Sequence, residues 1–266
     1  MFFNCLVSGL WNYAHYKKIK TNYTAQLNLV RDLRLHKVVF SNYDSLNILN
    51  PINQWGYKID GNKFMFVSLD AEMQNKLITN FLKIRDKKNN ILEIGGGFGC
   101  LAEKLFKNEK VNSIVLTDLP GTLLTAYYYL ASNYGTEKVF LVNNVEDLKN
   151  IDLDSNKKII LVPTCFYKEI SNIKNLNLVC NFGSFSEMSF ETIKFYLDNL
   201  PKDISMSINA NSNITVKNLG SLEVTTDRFN FEENGFIKIL EKLYSPFYCA
   251  YRYKTEFHIR KKNFII

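Results

Sequence analysis

From residue 90 onward the chain alternates short apolar runs with amphipathic stretches. Ile91-Leu92-Glu93-Ile94, with Asn90, is too short and too continuous for a helix face and predicts a buried strand. Leu101, Ala102, Leu105 and Phe106 then recur at helical spacing. Asn112 to Leu119 predicts a second strand. Pro120 opens a helix carrying Leu123, Leu124, Tyr127 and Leu130, stopped by Gly135. The triplet Tyr127-Tyr128-Tyr129 cannot face one way on that helix, so at least one ring belongs to the core. Val139 to Val142 predicts strand three, and Ile159 to Val162 is a short apolar run closed by Pro163. Leu176 to Cys180 has the makings of a central strand. Phe190, Ile193, Tyr196, Leu197 and Leu200 give a helix face stopped by Pro201. Ile204 to Ile208 alternates as a strand ending in Asn209. Phe236 to Leu240 and Tyr251 to Arg260 close the pattern as antiparallel strands, with His258 read as a sheet residue rather than a base. Strands and helices in alternation predict an α/β fold, a mainly parallel sheet with crossover helices.

The first 90 residues stand outside that alternation and read as mostly helical. Leu6, Leu10, Trp11, Tyr13 and Ala14 form one apolar face, and Leu27, Val30, Leu33 and Leu35 suggest a second helix. Asn50 to Tyr57 carries Asn-Pro and Gly signals of a loop. A third helix is expected with Asp70 as cap, Glu72 in the first turn and Leu77, Phe81 and Ile84 as its stripe. These features divide the chain into a helical cap over 1–88 and an α/β domain over 89–266.

Composition narrows the classes. Of 266 residues, 46% are hydrophobic and 22% charged, as in an ordinary globular chain. The five cysteines lie far apart with no C-x-x-C, which argues for reduced thiols in the cytoplasm and against a zinc site. No apolar run approaches the roughly 18 residues that would cross a bilayer. Met1 to Trp11 lacks the basic start of a signal peptide. The net charge of +7 comes mainly from lysines in scattered pairs, Lys17-Lys18, Lys87-Lys88, Lys157-Lys158 and Lys261-Lys262. Nucleic-acid binders cluster such charge with arginine and aromatics, so the excess reads first as a lysine-biased solvated surface, or else as a preference for an anionic small-molecule or nucleotide-linked partner.

Chemistry concentrates in two stretches. Gly95-Gly96-Gly97-Phe98-Gly99 follows the first strand and leads into a helix N-terminus, where free amides and the helix dipole converge. Its spacing is G-x-G-x-G with Cys100 next, whereas a dinucleotide fingerprint wants G-x-G-x-x-G. Glu93 sits just ahead, able to attract an ammonium group directly or through water. Asp118 ends the second strand 23 residues after Gly95, a spacing suited to ribose hydroxyls. It also suits a helix cap. Asn144 follows strand three, either near an adenine edge or as an ordinary turn residue. The second stretch is Asn181-Phe182-Gly183-Ser184-Phe185-Ser186-Glu187-Met188, placed at a strand's carboxyl end, where α/β sheets gather functional groups.

Strand, E-x-G-x-G-x-G and helix resemble the pattern of class I S-adenosylmethionine-dependent methyltransferases. Glu-Ile-Gly-Gly-Gly-Phe-Gly, Thr-Asp-Leu-Pro with a Tyr-rich helix, and Asn-Phe-Gly-Ser-Phe-Ser-Glu-Met together are similar to the bacterial sugar O-methyltransferases of capsule and O-antigen loci. The likeness covers roughly residues 90–210. Size and style also resemble the small Campylobacter capsule methyltransferases linked with the O-methyl phosphoramidate modification. The resemblance implies a Rossmann-like sheet and S-adenosyl-L-methionine held by Glu93, Gly95, Gly97, Phe98, Asp118, Leu119, Asn144 and Asn181. It implies acceptor contacts at Ser184 and Tyr57, on a sugar hydroxyl or a phosphoramidate oxygen. A hydroxyl needs a base, for which Glu187 is the candidate, with His15, His36 or a tyrosine in reserve. Glu187 equally suits a helix start. A phosphoramidate oxygen is already anionic and would look to Lys168, Arg228 or Arg252. No metal is implied, and an oligomer is compatible with the pattern. Against this stand an RNA or other small-molecule methyltransferase, an NAD oxidoreductase, and a non-catalytic partner subunit of the same fold. The RNA reading lacks an Asn-Pro-Pro-aromatic motif after the fourth strand.

Overall fold

The computed structural model describes residues 21–46, 57–82, 88–212, 229–243 and 253–263. The predicted helix around Leu6 to Ala14, the Asn50 to Gly56 loop, and His15, Trp55, Arg228 and Arg252 lie outside them.

Eight strands form one twisted sheet. In chain order they are β3 (Asn89–Ile94), β4 (Val111–Asp118), β5 (Val139–Leu141), β6 (Ile159–Pro163), β7 (Leu176–Phe182), β8 (Met206–Ser212), β9 (Phe236–Leu243) and β10 (Tyr253–Arg260). Across the sheet they run β5-β6-β4-β3-β7-β8-β10-β9; β5 to β8 are parallel, while β10 is antiparallel to both neighbours. Ile159 to Pro163, read only as an apolar run, is a full member: all five residues are buried and β6 lies between β4 and the three-residue edge strand β5. A strand covered on both faces has no polar alternation to announce it. β8 continues to Ser212 rather than stopping at Asn209.

Alternate strand residues feed two cores. Ile91, Ile114, Leu116, Leu161, Leu178 and Cys180 face one layer, with helices α2 (Phe66–Leu82), α3 (Cys100–Lys107) and α4 (Pro120–Tyr134). Leu92, Ile94, Val115, Ile160, Val162 and Val179 face the other, covered by the 3₁₀ segment Thr164–Asn172, α5 (Val145–Lys149) and α6 (Phe190–Asp198). Each fully buried Leu or Ile contributes roughly 1.5–3 kcal/mol, so this two-sided burial fixes the register of the central strands. Of the three adjacent tyrosines, Tyr129 is core at 3% exposure and Tyr128 is half exposed.

The amino-terminal elements are α1 (Tyr23–Phe40), the hairpin of β1 (Tyr57–Ile59) and β2 (Asn62–Phe64), and α2. Two expectations change here. The inward face of α1 carries Ala25, Leu29, Asp32 and His36, while Leu27 and Val30 are exposed. And α2 begins at Phe66, so Asp70 is inside the helix rather than its cap. Packing places α2 with the sheet: Leu77, Ile78, Phe81 and Leu82 join the core under α3.

Candidate functional site

β3 pairs with β4 on one side and β7 on the other, so the chain leaves this strand toward opposite halves of the sheet. Ligands of open α/β sheets bind at the carboxyl end of such a switch point. The glycine turn stands there. Gly95, Gly97 and Gly99 have φ of 75°, 59° and 89°, conformations that side chains with a Cβ resist. Space is equally short. A Cβ at Gly95 would lie 2.0 Å from Ser184 Oγ, and one at Gly96 would lie 2.6 Å from Leu116 Cδ1 and 2.9 Å from the Glu93 carboxyl carbon. The turn is therefore packed tightly from below by Glu93 and from the side by Ser184.

Asp118 is bound to this turn. The Gly97 N–H donates to its Oδ2 at 2.8 Å and the Leu119 N–H to its Oδ1 at 2.7 Å. Burial raises its pKa, while these bonds and one from Thr122 pull it back. Each oxygen keeps a lone pair for a ligand hydroxyl. The carboxylate does not cap α4, whose N-cap is Leu119 with no side-chain cap bond; it ties the glycine turn to the helix start and lines the crevice.

The crevice is a cavity of about 460 Å³, within the range of small-molecule sites. Gly95, Gly97, Phe98, Asp118, Leu119, Ser184 and Glu187 all line it, which brings together seven of the predicted residues from three strand ends. The other four lie elsewhere. Glu93 is buried beneath the turn, where desolvation and the nearby Asp118 push its carboxyl up to about 8, and its Oε2 has no hydrogen-bond partner. Asn181 is buried behind the wall, donating to the Ile94 carbonyl at 2.8 Å. Asn144 is exposed and caps α5: its Oδ1 accepts from the Asp147 N–H at 3.1 Å and Asp147 returns the bond. Tyr57 packs against Phe64 in the amino-terminal hairpin, ring centroids 5.4 Å apart and tilted by 40°, and does not line the cavity. Of the cations considered for an anionic acceptor, Lys168 is exposed away from the lining.

The sequence reading missed Thr122, Thr164, Met188, Thr192, Phe195 and Tyr196. Thr122 and Thr164 follow the ends of β4 and β6, a placement predictable from sheet order. Thr192, Phe195 and Tyr196 share one face of α6 at i, i+3, i+4 spacing. Tyr196 was read as core, and it is 5% exposed, yet its ring reaches the cavity, where burial and Asp118 push the phenol up to about 12. Among the described lining residues there are two carboxylates and no lysine, arginine or histidine.

His36 and His258 lie in other surroundings. Burial pushes both down to about 4, so they are neutral. His258 stacks on Phe231 at 4.4 Å beside a polar recess of about 350 Å³. There Glu256 is already held by Lys238 at 3.2 Å and Lys254 at 3.5 Å. No group of acidic, histidine or cysteine side chains suited to a metal occurs among the described residues, and no described helix is long and apolar enough to cross a membrane.

No family model and no curated protein matches the chain. Solved structures do. The mitomycin 7-O-methyltransferase MmcR superposes with a TM-score of 0.50 at 12% identity, over 73% of this chain and 54% of that one. The chain thus spans about half the length of that neighbour. Magnesium protoporphyrin IX methyltransferase (ChlM) from Synechocystis PCC 6803, solved with bound SAH, gives 0.49 at 10% identity over 88% and 99%. The fold, a mostly parallel Rossmann-like sheet with an antiparallel end, is that of the class I methyltransferases.

Proposed function

We propose that this chain is an S-adenosyl-L-methionine-dependent methyltransferase. The observation that carries the reading is the Asp118 carboxylate bonded to the Gly97 amide at the mouth of the switch-point crevice. It joins a diol acceptor to a turn with no side chains in the way of a ligand. Gly95, Gly97 and Phe98 would cradle the nucleoside, Asp118 its ribose, and Leu119 its base. Glu93, buried beneath the turn with its carboxyl raised to about 8, would meet the ammonium end in its ionised form, which binding of that cation would favour. A wall with carboxylates and no described cation suits a donor carrying both a sulfonium and an ammonium group. When bound, that donor supplies an already activated methyl group. The protein's own contribution is alignment, together with removal of a proton from the acceptor.

For the acceptor we propose a hydroxyl of a capsular or surface-polysaccharide precursor, with Ser184 as a contact and Glu187 as its base. Glu187 is exposed on the cavity wall, within reach of an incoming group. The same wall favours a hydroxyl over an anionic phosphoramidate oxygen, which two carboxylates would repel. An active catalyst is favoured over an inactive partner subunit because the glycine turn, Asp118 and Glu187 converge.

Calorimetric titration with S-adenosylmethionine, S-adenosylhomocysteine and NADH tests the donor. The first two should bind in the micromolar range and NADH should not. Asp118→Ala should weaken both nucleosides by about tenfold or more, the loss of charge-assisted hydrogen bonds. Tight NADH binding, or silence with both methionine nucleosides, would refute the assignment. With a hydroxyl acceptor in hand, Glu187→Gln should cut turnover about 100-fold or more; near-normal rates would dismiss it as the base.

A further inference from the structure

The cavity wall contributed by Ser184–Glu187 is held from behind by buried amides that no chemistry so far described uses. Asn209 and Asn211 share one face of β8 at i, i+2, and both are fully buried. Asn211 donates from Nδ2 to Asn181 Oδ1 at 2.7 Å and to Asn209 Oδ1 at 2.6 Å. Its own Oδ1 accepts from the Ser186 backbone N–H at 3.0 Å and from Ser186 Oγ at 3.2 Å. Asn181 passes the connection on. It accepts from the Phe185 N–H at 3.2 Å, and donates to Ser184 Oγ and to the carbonyl of Ile94, the residue before the glycine turn. One side chain on β8 is thus tied directly to the residue before Glu187, and through Asn181 to the residue before Gly95.

A strand end this deep would ordinarily take Val, Ile or Leu. Burying amides costs free energy unless their hydrogen bonds are made; Asn211 and Asn181 make theirs to the two loops that frame the cavity, while Asn209 Nδ2 has no partner. The fit is close as well: Ser184 sits where a Cβ on Gly95 would be 2.0 Å from its hydroxyl, so the height of the Ser184–Glu187 turn over the glycine turn is tightly set. We infer that Asn211 is a positioning residue of this site, fixing the Glu187 carboxylate relative to the sulfonium of a bound donor. The inference rests on the methyl-donor reading above.

The test uses the full chain and two ligands that differ by one methyl group and its positive charge. S-adenosylmethionine and S-adenosylhomocysteine share the parts that Asp118 and the glycine turn would hold, so their affinity ratio reads the distance from a carboxylate to the sulfonium. In Asn211→Ala, calorimetry should give S-adenosylhomocysteine binding within about twofold of the parent. The preference for S-adenosylmethionine should fall by about threefold or more. Hydrogen exchange should quicken about tenfold at the Phe185 and Ser186 amides and stay unchanged in β3 and β4. If that variant does not fold, Asn211→Leu, close in volume and uncharged, removes the same hydrogen bonds and should lower the same ratio. A folded variant with the parent's ratio overturns the role of Asn211 while leaving the donor reading intact. A parent that binds neither nucleoside overturns the donor reading and this role with it.

Discussion

At the scale of single residues, the glycine turn is constrained twice, by backbone angle and by space. Gly95→Ala would combine a φ of 75° with a Cβ 2.0 Å from Ser184 Oγ, so the Ser184–Glu187 turn must move. The strained angle alone costs about 1–3 kcal/mol. The expected result is a lower urea midpoint together with loss of nucleoside binding; an alanine variant that binds as the parent does would contradict the geometry. Glu93 makes a pH prediction. Burial raises its pKa from 4.5 to about 8, so the folded chain holds a proton that the unfolded chain releases. Stability linked to this group is present below about pH 4.5, is lost as pH rises toward 8, and is flat above. Asp70, pushed up to about 7, tilts the curve the same way, so the informative quantity is the difference between parent and Glu93→Gln. The thermal midpoint of Glu93→Gln should exceed the parent's by more at about pH 8.5 than at about pH 5. A constant difference would place the Glu93 carboxyl in an ordinary solvated setting. Glu93, Gly95 and Asp118 were all legible in the sequence because spacing along one strand–turn–helix unit fixes where they stand. Asn144 and Asn181 were legible only as residue types at strand ends, and which way each amide turns depends on partners distant in sequence.

Among the elements, the helices of the amino-terminal half show what periodicity cannot report. α1 buries Asp32 and His36, and α2 meets α3 across ionised groups. Lys104 lies 3.4 Å from Glu72 and 3.2 Å from Glu103, with all three side chains almost wholly buried, and Lys107 pairs with the far oxygen of Glu103. A hydrophobic count assigns such residues to the outside, so the inward face of α1 was not readable from apolar spacing, and on α3 Leu101, Ala102, Leu105 and Phe106 were read as the buried stripe while Glu103 and Lys104 were not. Elements whose inward faces are apolar, such as α4 and α6, were read within a residue or two. The buried cluster makes its own prediction. Lys104→Met leaves two buried carboxylates sharing only Lys107, and should lower the unfolding free energy by about 3–5 kcal/mol in urea titration. Replacing Glu72 and Glu103 by Leu and Met in the same chain should restore most of that loss, because isosteric apolar packing removes the uncompensated charges. A Lys104→Met chain as stable as the parent would show that the two carboxyl groups do not need Lys104 as a cationic partner.

At the level of the whole molecule, the sheet order decides how far the lysine excess can act. The alternation of strands and helices made the parallel sheet legible, but not that Ile159 to Pro163 would slot between β4 and β5, a long-range pairing no local pattern encodes. That order sets two of the basic pairs apart, with Lys88, ahead of β3, between them; burial and the nearby Lys88 lower the Lys157 pKa. Lys157 and Lys158 precede β6, and Lys261 and Lys262 follow β10, with four strands between. At about 4.8 Å per strand the separation is roughly 24 Å, well beyond the screening length of about 8 Å at physiological salt. Two of these lysines are also committed locally. Lys157 donates to the Asn108 carbonyl at 2.8 Å, and Lys262 to that of Lys202 at 3.2 Å. These two pairs therefore do not act as one patch at physiological salt. Fluorescence anisotropy with a single-stranded RNA of about 20 nucleotides should give half-saturation no tighter than about 10 μM at about 0.15 M salt, and a steep further loss as salt rises. Submicromolar binding that survives this ionic strength would mean the lysines converge on a surface the sheet order does not predict, and an RNA acceptor would then displace the sugar hydroxyl as the favoured substrate.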